Sequence, residues 1–391
     1  MRRIVIAGGS SAGLAAARTL REEGFDGELT IVEPEAHPPY DRTALSKDLV
    51  TGRAQVDDIA LLEPERLSSL DIRWHRGQRA VGLAPFSRQV ILANGNALPY
   101  DGAVLATGSS PRELDFGTRA PRGVYTLRGL DDALALRAAL AGSQHVVLVG
   151  GGFIGLELAV AAGHYGARVT ILEAGEATLA GPLGPVVGAA IGARHTRRGV
   201  AILTRVEVVG WAGGDELSGV ALADGRVIRA DLAVVGVGAQ PNSAWLTGSG
   251  AGDKRGALCD ATLATPLPGV VAAGDVVRYP HPLVRQNVRI EHFEHAELSG
   301  AHAARRLLRG ADAGPYESLP SVWSHQGDHT IQVAGFPSGT AEIEIVEGDL
   351  DNGPFATVYR DQGQTVAALT LDLPRTYRRL RRELSLQGSA V

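Results

Sequence analysis

Two glycine-rich runs and two charged residues hold most of the chemistry this sequence can do. The first run, Gly8-Gly9-Ser10-Ser11-Ala12-Gly13, follows the apolar stretch Arg3-Ile4-Val5-Ile6-Ala7. The second, Gly150-Gly151-Gly152-Phe153-Ile154-Gly155, follows Val146-Val147-Leu148-Val149. After each comes a helix-compatible segment and then a second apolar strand closing on an acid, Glu33 or Glu173. Glycines at such a turn let the backbone approach a pyrophosphate. The helix start offers free N–H groups, and the acid accepts from ribose hydroxyls. Strand, turn, helix, strand and acid together form the dinucleotide fingerprint, and this chain has it twice. Ser10 departs from the pattern, standing where a second glycine is expected; a serine is small enough to be tolerated there.

The two charged residues are Lys47 and Glu157. Only Lys47 and Lys254 are lysine among 38 basic residues, in a chain that otherwise uses arginine. A lysine kept against that habit suggests a need for a compact, single-point donor. Glu157 lies on the helix opened by the second glycine run.

The elements that must position these residues repeat. Asn94-Gly95 is a hairpin signal, followed by a return ending in Ala103-Val104-Leu105-Ala106-Thr107-Gly108. Asp224-Gly225 marks the same turn in the second half, with a return ending in Leu232-Ala233-Val234-Val235-Gly236-Val237-Gly238. Asn94 precedes Asp101 by seven residues, as Asp224 precedes Asp231, and each Asp precedes its Gly, 108 or 238, by seven. We read this as an internal duplication of a strand–helix–strand unit with a meander, one copy per dinucleotide. Further on, Gly269 to Asp275 returns to an apolar strand and a helix is expected from about Glu294 to Leu308. From about Leu319 the strands alternate in polarity, ending in the basic run Arg375 to Arg382, read first as a solvated helix face and otherwise as a docking surface for an acidic partner.

Composition narrows the class. A chain of 391 residues, 45% hydrophobic and 21% charged, has room for two or three domains. No apolar run reaches the length of a membrane span. A net charge of −5 argues against a nucleic-acid surface. A single cysteine, Cys259, excludes a disulfide framework and a Cys-x-x-Cys metal site, so no metal is expected and the location expected is cytoplasmic. Monomer and homodimer both stay open.

Taken together the motifs resemble one family over nearly the whole chain: the FAD-dependent, NAD(P)H-using ferredoxin reductases that serve bacterial oxygenases and cytochromes P450. Gly8-x-Ser10-x-x-Gly13 resembles the G-x-S-x-x-G form used by some members. Tyr40-Asp41-Arg42-Thr43-Ala44-Leu45-Ser46-Lys47 is similar to their Y-x-R-P-P-L-S-K segment. Ala106-Thr107-Gly108-Ser109-Ser110-Pro111-Arg112 matches A-T-G-x-x-P-R, Gly236 to Asn242 matches G-x-G-x-x-P-N, and Ala273-Gly274-Asp275 matches A-G-D. Arg289 to Ala296 aligns with R-x-E-H-W-x-N-A and Pro320 to Gln326 with P-Y-F-W-S-D-Q. The departures, Phe293 for Trp, His295 for Asn, Ser321 for Tyr and His325 for Asp, cluster in the last third and bear on redox tuning and on the choice of acceptor.

The resemblance implies an α/β architecture of glutathione-reductase type, with two duplicated Rossmann-like domains and a small C-terminal α+β domain. It divides the chain into an FAD-binding domain (1–112 and 242–318), an NAD-binding domain (113–241) and a C-terminal domain (319–391). FAD would be held by Gly8, Ser10, Ser11, Ala12, Gly13 and Glu33, then by Arg42, Lys47, Ala106, Thr107, Gly108 and Arg112. Gly274, Asp275, Glu291, His292, Phe293 and Trp323 complete that set. The nicotinamide nucleotide would lie on Gly150, Gly152, Phe153, Ile154, Gly155, Glu157 and Glu173, with Gly236, Val237 and Gly238. Lys47 and Glu157 would be the catalytic pair beside the flavin ring. Glu173 suits a ribose 2′-hydroxyl, and no arginine follows it at Ala174-Gly175, so NADH is expected rather than NADPH. The partner implied is an acidic 2Fe-2S ferredoxin. A monodehydroascorbate-reductase-like or other NADH-dependent flavin reductase, and a redox-switched flavoprotein of the apoptosis-inducing-factor type, remain alternatives at this point. Disulfide reductases need a redox cysteine that the segment after Glu33 lacks.

Overall fold

A computed structural model describes residues 1–388; residues 389–391, the end of the expected C-terminal domain, lie outside it. Two five-stranded parallel sheets dominate the chain. The first has the spatial order Val270–Ala272, Gly102–Leu105, Arg3–Ala7, Glu28–Glu33 and Ile72–Arg76. The second runs Val124–Thr126, Leu232–Val235, His145–Val149, Arg168–Glu173 and Ala201–Thr204. Central strands such as Ile4-Val5-Ile6-Ala7 are buried along their length: Ile4 and Ile6 pack with Ala16, Leu20 and Ala303 of the covering helices, and Val5 and Ala7 with Leu83, Val90 and Leu92 of a small antiparallel sheet on the other face.

The duplication holds to the level of single hydrogen bonds. Ala7 pairs with Val32 and Leu105, while Val149 pairs with Leu172 and Val235. The two aspartates found by spacing do the same work. Asp101 accepts from the amides of Arg2 and Arg3, and Asp231 from those of Gln144 and His145. Each therefore pins the start of its central strand. The fifth strand differs: in the first sheet it comes from a segment beyond the second sheet, and in the second sheet from one ahead of its own central strand.

One expectation is corrected. Asn94-Gly95 does turn a hairpin, with Gly95 at φ +86, but its return arm is only Ala97–Pro99. Gly102–Leu105 is instead a parallel strand against Arg3–Ala7. The second half repeats this, with Val227–Arg229 as the arm and Leu232–Val235 parallel to His145–Val149. A buried apolar run satisfies its backbone best inside the parallel sheet, so the chain crosses back after a short arm.

The C-terminal part is a five-stranded antiparallel sheet in the order Ser321–Gln326, His329–Gly335, Gln364–Leu371, Phe355–Asp361 and Glu342–Gly348. Helix Pro374–Gly388 covers one face through Tyr377, Leu380 and Leu384. The opposite face, with Ile331, Val333, Phe355 and Tyr359, joins the core of the second Rossmann-like half, and the Tyr359 hydroxyl donates to Leu183 O at 2.9 Å. This docking carries Ser321–Gln326 to the junction of all three parts.

Candidate active site and dinucleotide cradles

Each glycine run turns the chain from a central strand into a helix. Gly8 has φ +107 and Gly150 φ +106, a backbone region that L side chains rarely adopt. A Cβ on Gly8 would lie 2.0 Å from Ala106 O, and one on Gly150 would lie 2.3 Å from Gly236 O. The first intrahelical bonds are Leu14 N–H to Ser10 O, 2.8 Å, and Leu156 N–H to Gly152 O, 3.0 Å. The amides of Ser11, Ala12 and Gly13, and of Phe153, Ile154 and Gly155, precede those bonds, which leaves at each helix start free N–H groups of the kind that suit an anion. Thr107 and Gly108, with Val237 and Gly238, follow the facing carbonyls on the neighbouring strand ends.

The acids brace these turns. Glu33 Oε2 accepts from Gly9 N at 2.6 Å and Glu173 Oε2 from Gly151 N at 2.7 Å. Their Oε1 atoms accept from Glu35 N and Gly175 N. Burial pushes the Glu33 carboxyl above the usual range, against the lowering effect of the Gly9 and Glu35 amides. Ser10 adopts φ −81 and ψ −158, close to Gly152 at φ −76 and ψ −177, and its hydroxyl accepts from Arg42 Nε at 3.1 Å. Arg42 also reaches Glu35 at 2.5 Å, Tyr40 Oη at 3.0 Å and Arg128 O at 2.8 Å. Desolvation disfavours its charge, but the surrounding Tyr40 and Glu35 raise its pKa overall.

The second wall of the first cradle forms where the late helix Phe293–Arg309 packs over the helix Ser11–Glu22. Gly274 N–H donates to Ser299 Oγ at 2.9 Å, and a Cβ on Gly274 would meet Ala12 Cβ at 2.9 Å. Asp275 Oδ2 accepts from Ser109 Oγ at 2.7 Å and from Arg128 Nη2 at 3.0 Å. Arg289 pairs with Glu291. His292 precedes the helix; burial lowers its pKa to about 4, and its Nδ1 is buried without a partner. Phe293 meets Trp323 edge-on, ring centroids 6.1 Å apart. Glycines no larger side chain can replace, unbonded helix-start amides and an orphaned buried histidine nitrogen all fit a dinucleotide in this cradle. Arg112 stands apart: it is exposed, and its amide donates to Gly238 O at 2.9 Å on the bridge between the halves.

Between the cradles the structure brings Lys47 and Glu157 together. Lys47 Nζ lies 3.0 Å from Glu157 Oε2, with the side chains 14% and 5% exposed. Lys47 sits in a π-helical turn, Leu45–Leu49, a form often found at functional sites, and Nζ also donates to Thr43 O at 2.8 Å. Glu157 is further held by Ser46 Oγ and by Ser324 Oγ at 2.6 Å. Behind Ser324 come Gln326, 3.2 Å away, and His195, 2.8 Å from Gln326. Burial lowers the His195 pKa, so a neutral ring ends the chain. Three parts of the molecule thus converge on one carboxylate. Sequence reasoning missed Ser46, Ser324, Gln326, His195 and Arg128; Ser46, Ser324 and Gln326 lie in motifs where only a neighbour was singled out.

The chain matches the family model described as pyridine nucleotide-disulphide oxidoreductase over residues 2–300 and that described as reductase C-terminal over 321–390. It is 35% identical over 377 residues to the biphenyl dioxygenase system ferredoxin--NAD(+) reductase component of Paraburkholderia xenovorans, covering 96% of this chain and 91% of that one. It is 36% identical to the anthranilate 1,2-dioxygenase system ferredoxin--NAD(+) reductase component of Burkholderia cepacia over 384 residues, 95% of this chain and 91% of the relative. Among solved structures, the covalent putidaredoxin reductase–putidaredoxin complex superposes with a TM-score of 0.93 at 28% identity, covering 98% of this chain and 93% of the other. The ferredoxin reductase for the CYP199A2 system from Rhodopseudomonas palustris gives 0.89 at 30% identity, covering 95% and 91%.

Proposed function

The chain belongs to the pyridine nucleotide-disulphide oxidoreductases, and from that premise we propose that it passes electrons from NADH through FAD to a 2Fe-2S ferredoxin serving a cytochrome P450 or ring-hydroxylating oxygenase. FAD, when bound, accepts a pair of electrons from the nicotinamide and releases them singly. Everything else is the work of this chain. The first turn, with Glu33, Arg42 and Asp275, holds the FAD; the second turn, with Glu173, holds NADH. Lys47 and Glu157 steady the charge where the two cofactors meet.

The observation that carries this reading is the buried Lys47–Glu157 pair in a chain whose one cysteine is far from redox use. Cys259 is buried, and burial pushes its thiol well above the usual range. The disulfide chemistry in the family's name therefore has no group to act through here.

The domain division set out above, with boundaries at 112, 241 and 318, is part of this reading, and the two parallel sheets and the antiparallel C-terminal sheet support it. So is an acidic ferredoxin, supported by the exposed Arg375, Arg378, Arg379 and Arg382 on the last helix, while Tyr377, Leu380 and Leu384 point inward. A cytoplasmic location is part of the same reading; among the described residues no helix is long and apolar enough to cross a membrane. The test is turnover. NADH-driven reduction of cytochrome c that depends on added 2Fe-2S ferredoxin is expected. A stable charge-transfer complex with NADH and little turnover, with or without ferredoxin, would instead indicate a redox-switched binding protein.

A further inference from the structure

The rim of the second acid carries an arginine that the linear sequence hides. Glu173 is followed by Ala174-Gly175-Glu176, which offers no cation to a ribose 2′-phosphate. Strand Ala201–Thr204 runs parallel to Arg168–Glu173, with Thr204 opposite Glu173. The next residue, Arg205, is thereby carried to the acid's own turn. Arg205 N–H donates to Gly175 O at 2.9 Å and Val206 N–H to Glu173 O at 3.2 Å. Arg205 adopts φ +55, in the left-handed region. Its Nη2 lies 3.3 Å from Glu176 Oε2, the side chains 74% and 52% exposed.

We propose that Glu176 is a second nucleotide-specificity residue, acting through Arg205: it holds the guanidinium that would otherwise receive a 2′-phosphate. The proposal deepens the reading of Glu173 as the acid for the adenosine ribose, and rests on it. Glu173, Glu176 and Arg205 together carry one net negative charge at this rim. NADPH brings a phosphate against two carboxylates whose single cation is already engaged. Without Glu176 the rim is neutral, and a planar fork that matches phosphate in two places is free. Because the pair is exposed, its effect on the rim is one of charge and is screened by salt.

The experiment compares FAD-loaded parent, Glu176→Gln and Glu176→Gln/Arg205→Gln. Two quantities are read: the ratio of kcat/KM for NADH over NADPH, and calorimetric affinities for ADP and adenosine 2′,5′-bisphosphate. Glu176→Gln should lower the ratio about tenfold and tighten the bisphosphate by a similar factor, through charge complementarity alone. The second change should return both toward the parent. Raising salt to about 1 M, where the Debye length is about 3 Å, should shrink the effect. A Glu176→Gln ratio within twofold of the parent overturns the proposal. So does a fall that persists when Arg205 is also replaced, because the arginine is then not the agent. A parent ratio near one would instead remove the Glu173 reading itself, and that is measured first.

Discussion

The two glycine turns are near-copies in backbone, yet they lie in different surroundings. Residues 8–13 are buried except for half-buried Ser10, whereas in 150–155 only Gly151 and Gly155 are buried and Ile154 is 48% exposed. The helix Phe293–Arg309 makes the difference. At Gly300 it approaches so closely that a Cβ would stand 2.2 Å from Ala12 O. Beside the second turn runs a loop, with Leu179 N–H donating to Gly151 O at 2.9 Å. The acids follow the same division, Glu33 buried and Glu173 half-buried. One motif, duplicated, thus gives an enclosed cradle suited to a resident cofactor and an open one suited to a substrate that leaves every cycle.

The comparison breaks most completely at Gly13. A Cβ there would lie 1.8 Å from Gly8 O, so Gly13→Val must move the helix away from the strand. Because Gly300 and Gly274 lock the same helix from the other side, relaxation has nowhere to go. Purified Gly13→Val protein is expected colourless and unable to take up added FAD, with its second half still binding ADP. A yellow Gly13→Val protein would mean that the enclosure is not what holds FAD.

The next effect lies where the cradles meet. Lys47→Ala leaves a carboxylate 5% exposed without its cation, and Glu157→Ala leaves an ammonium without its anion. Losing one partner of such a pair costs on the order of 2–5 kcal/mol, of which part appears in the barrier. Since about 1.4 kcal/mol is tenfold in rate, anaerobic bleaching of the flavin band by NADH should slow ten- to a hundredfold with FAD retained. Glu157 keeps Ser46 and Ser324 when Lys47 is lost, so Lys47→Ala should be the milder of the two. Bleaching at the parent rate in both variants would make them bystanders.

What the sequence made legible was local. A strand, a glycine turn and a closing acid lie within about 30 consecutive residues, and a repeated offset such as Asn94 to Asp101 needs only counting. Lys47 was nameable from residue type and its pairing with Glu157 only from the family resemblance, the partners standing 110 positions apart in the chain. Ser324, Gln326 and His195 were not, because their roles come from a C-terminal sheet that docks on the second half through Tyr359 and Val333. Arg205 was hidden for the same reason, since a parallel neighbour strand delivers it. The misplaced hairpin return at Ala103–Gly108 had another cause. A buried apolar strand looks alike whether its partner is the preceding arm or a strand far back in the chain.

The smallest effect expected is also the one that asks most sharply whether the two turns are read alike. Ser10 and Gly152 occupy equivalent positions, both extended, and a Cβ on Gly152 would meet nothing within 4 Å. Nothing in the protein therefore demands glycine at 152, and only close approach of a nucleotide would. The first turn already accepts a serine in that place. Gly152→Ser should accordingly leave the KM for NADH within about twofold, since the serine adds no clash and gains no partner. Ser10→Gly should cost more, because Arg42 Nε loses its 3.1 Å acceptor and only the Nη groups keep theirs, on Glu35, Tyr40 and the Arg128 carbonyl. One such hydrogen bond is worth about 1 kcal/mol, so FAD should bind about fivefold more weakly. A tenfold rise in KM for Gly152→Ser would show that NADH presses closer to its turn than FAD does to its own. The equivalence of the two cradles would then end at the backbone.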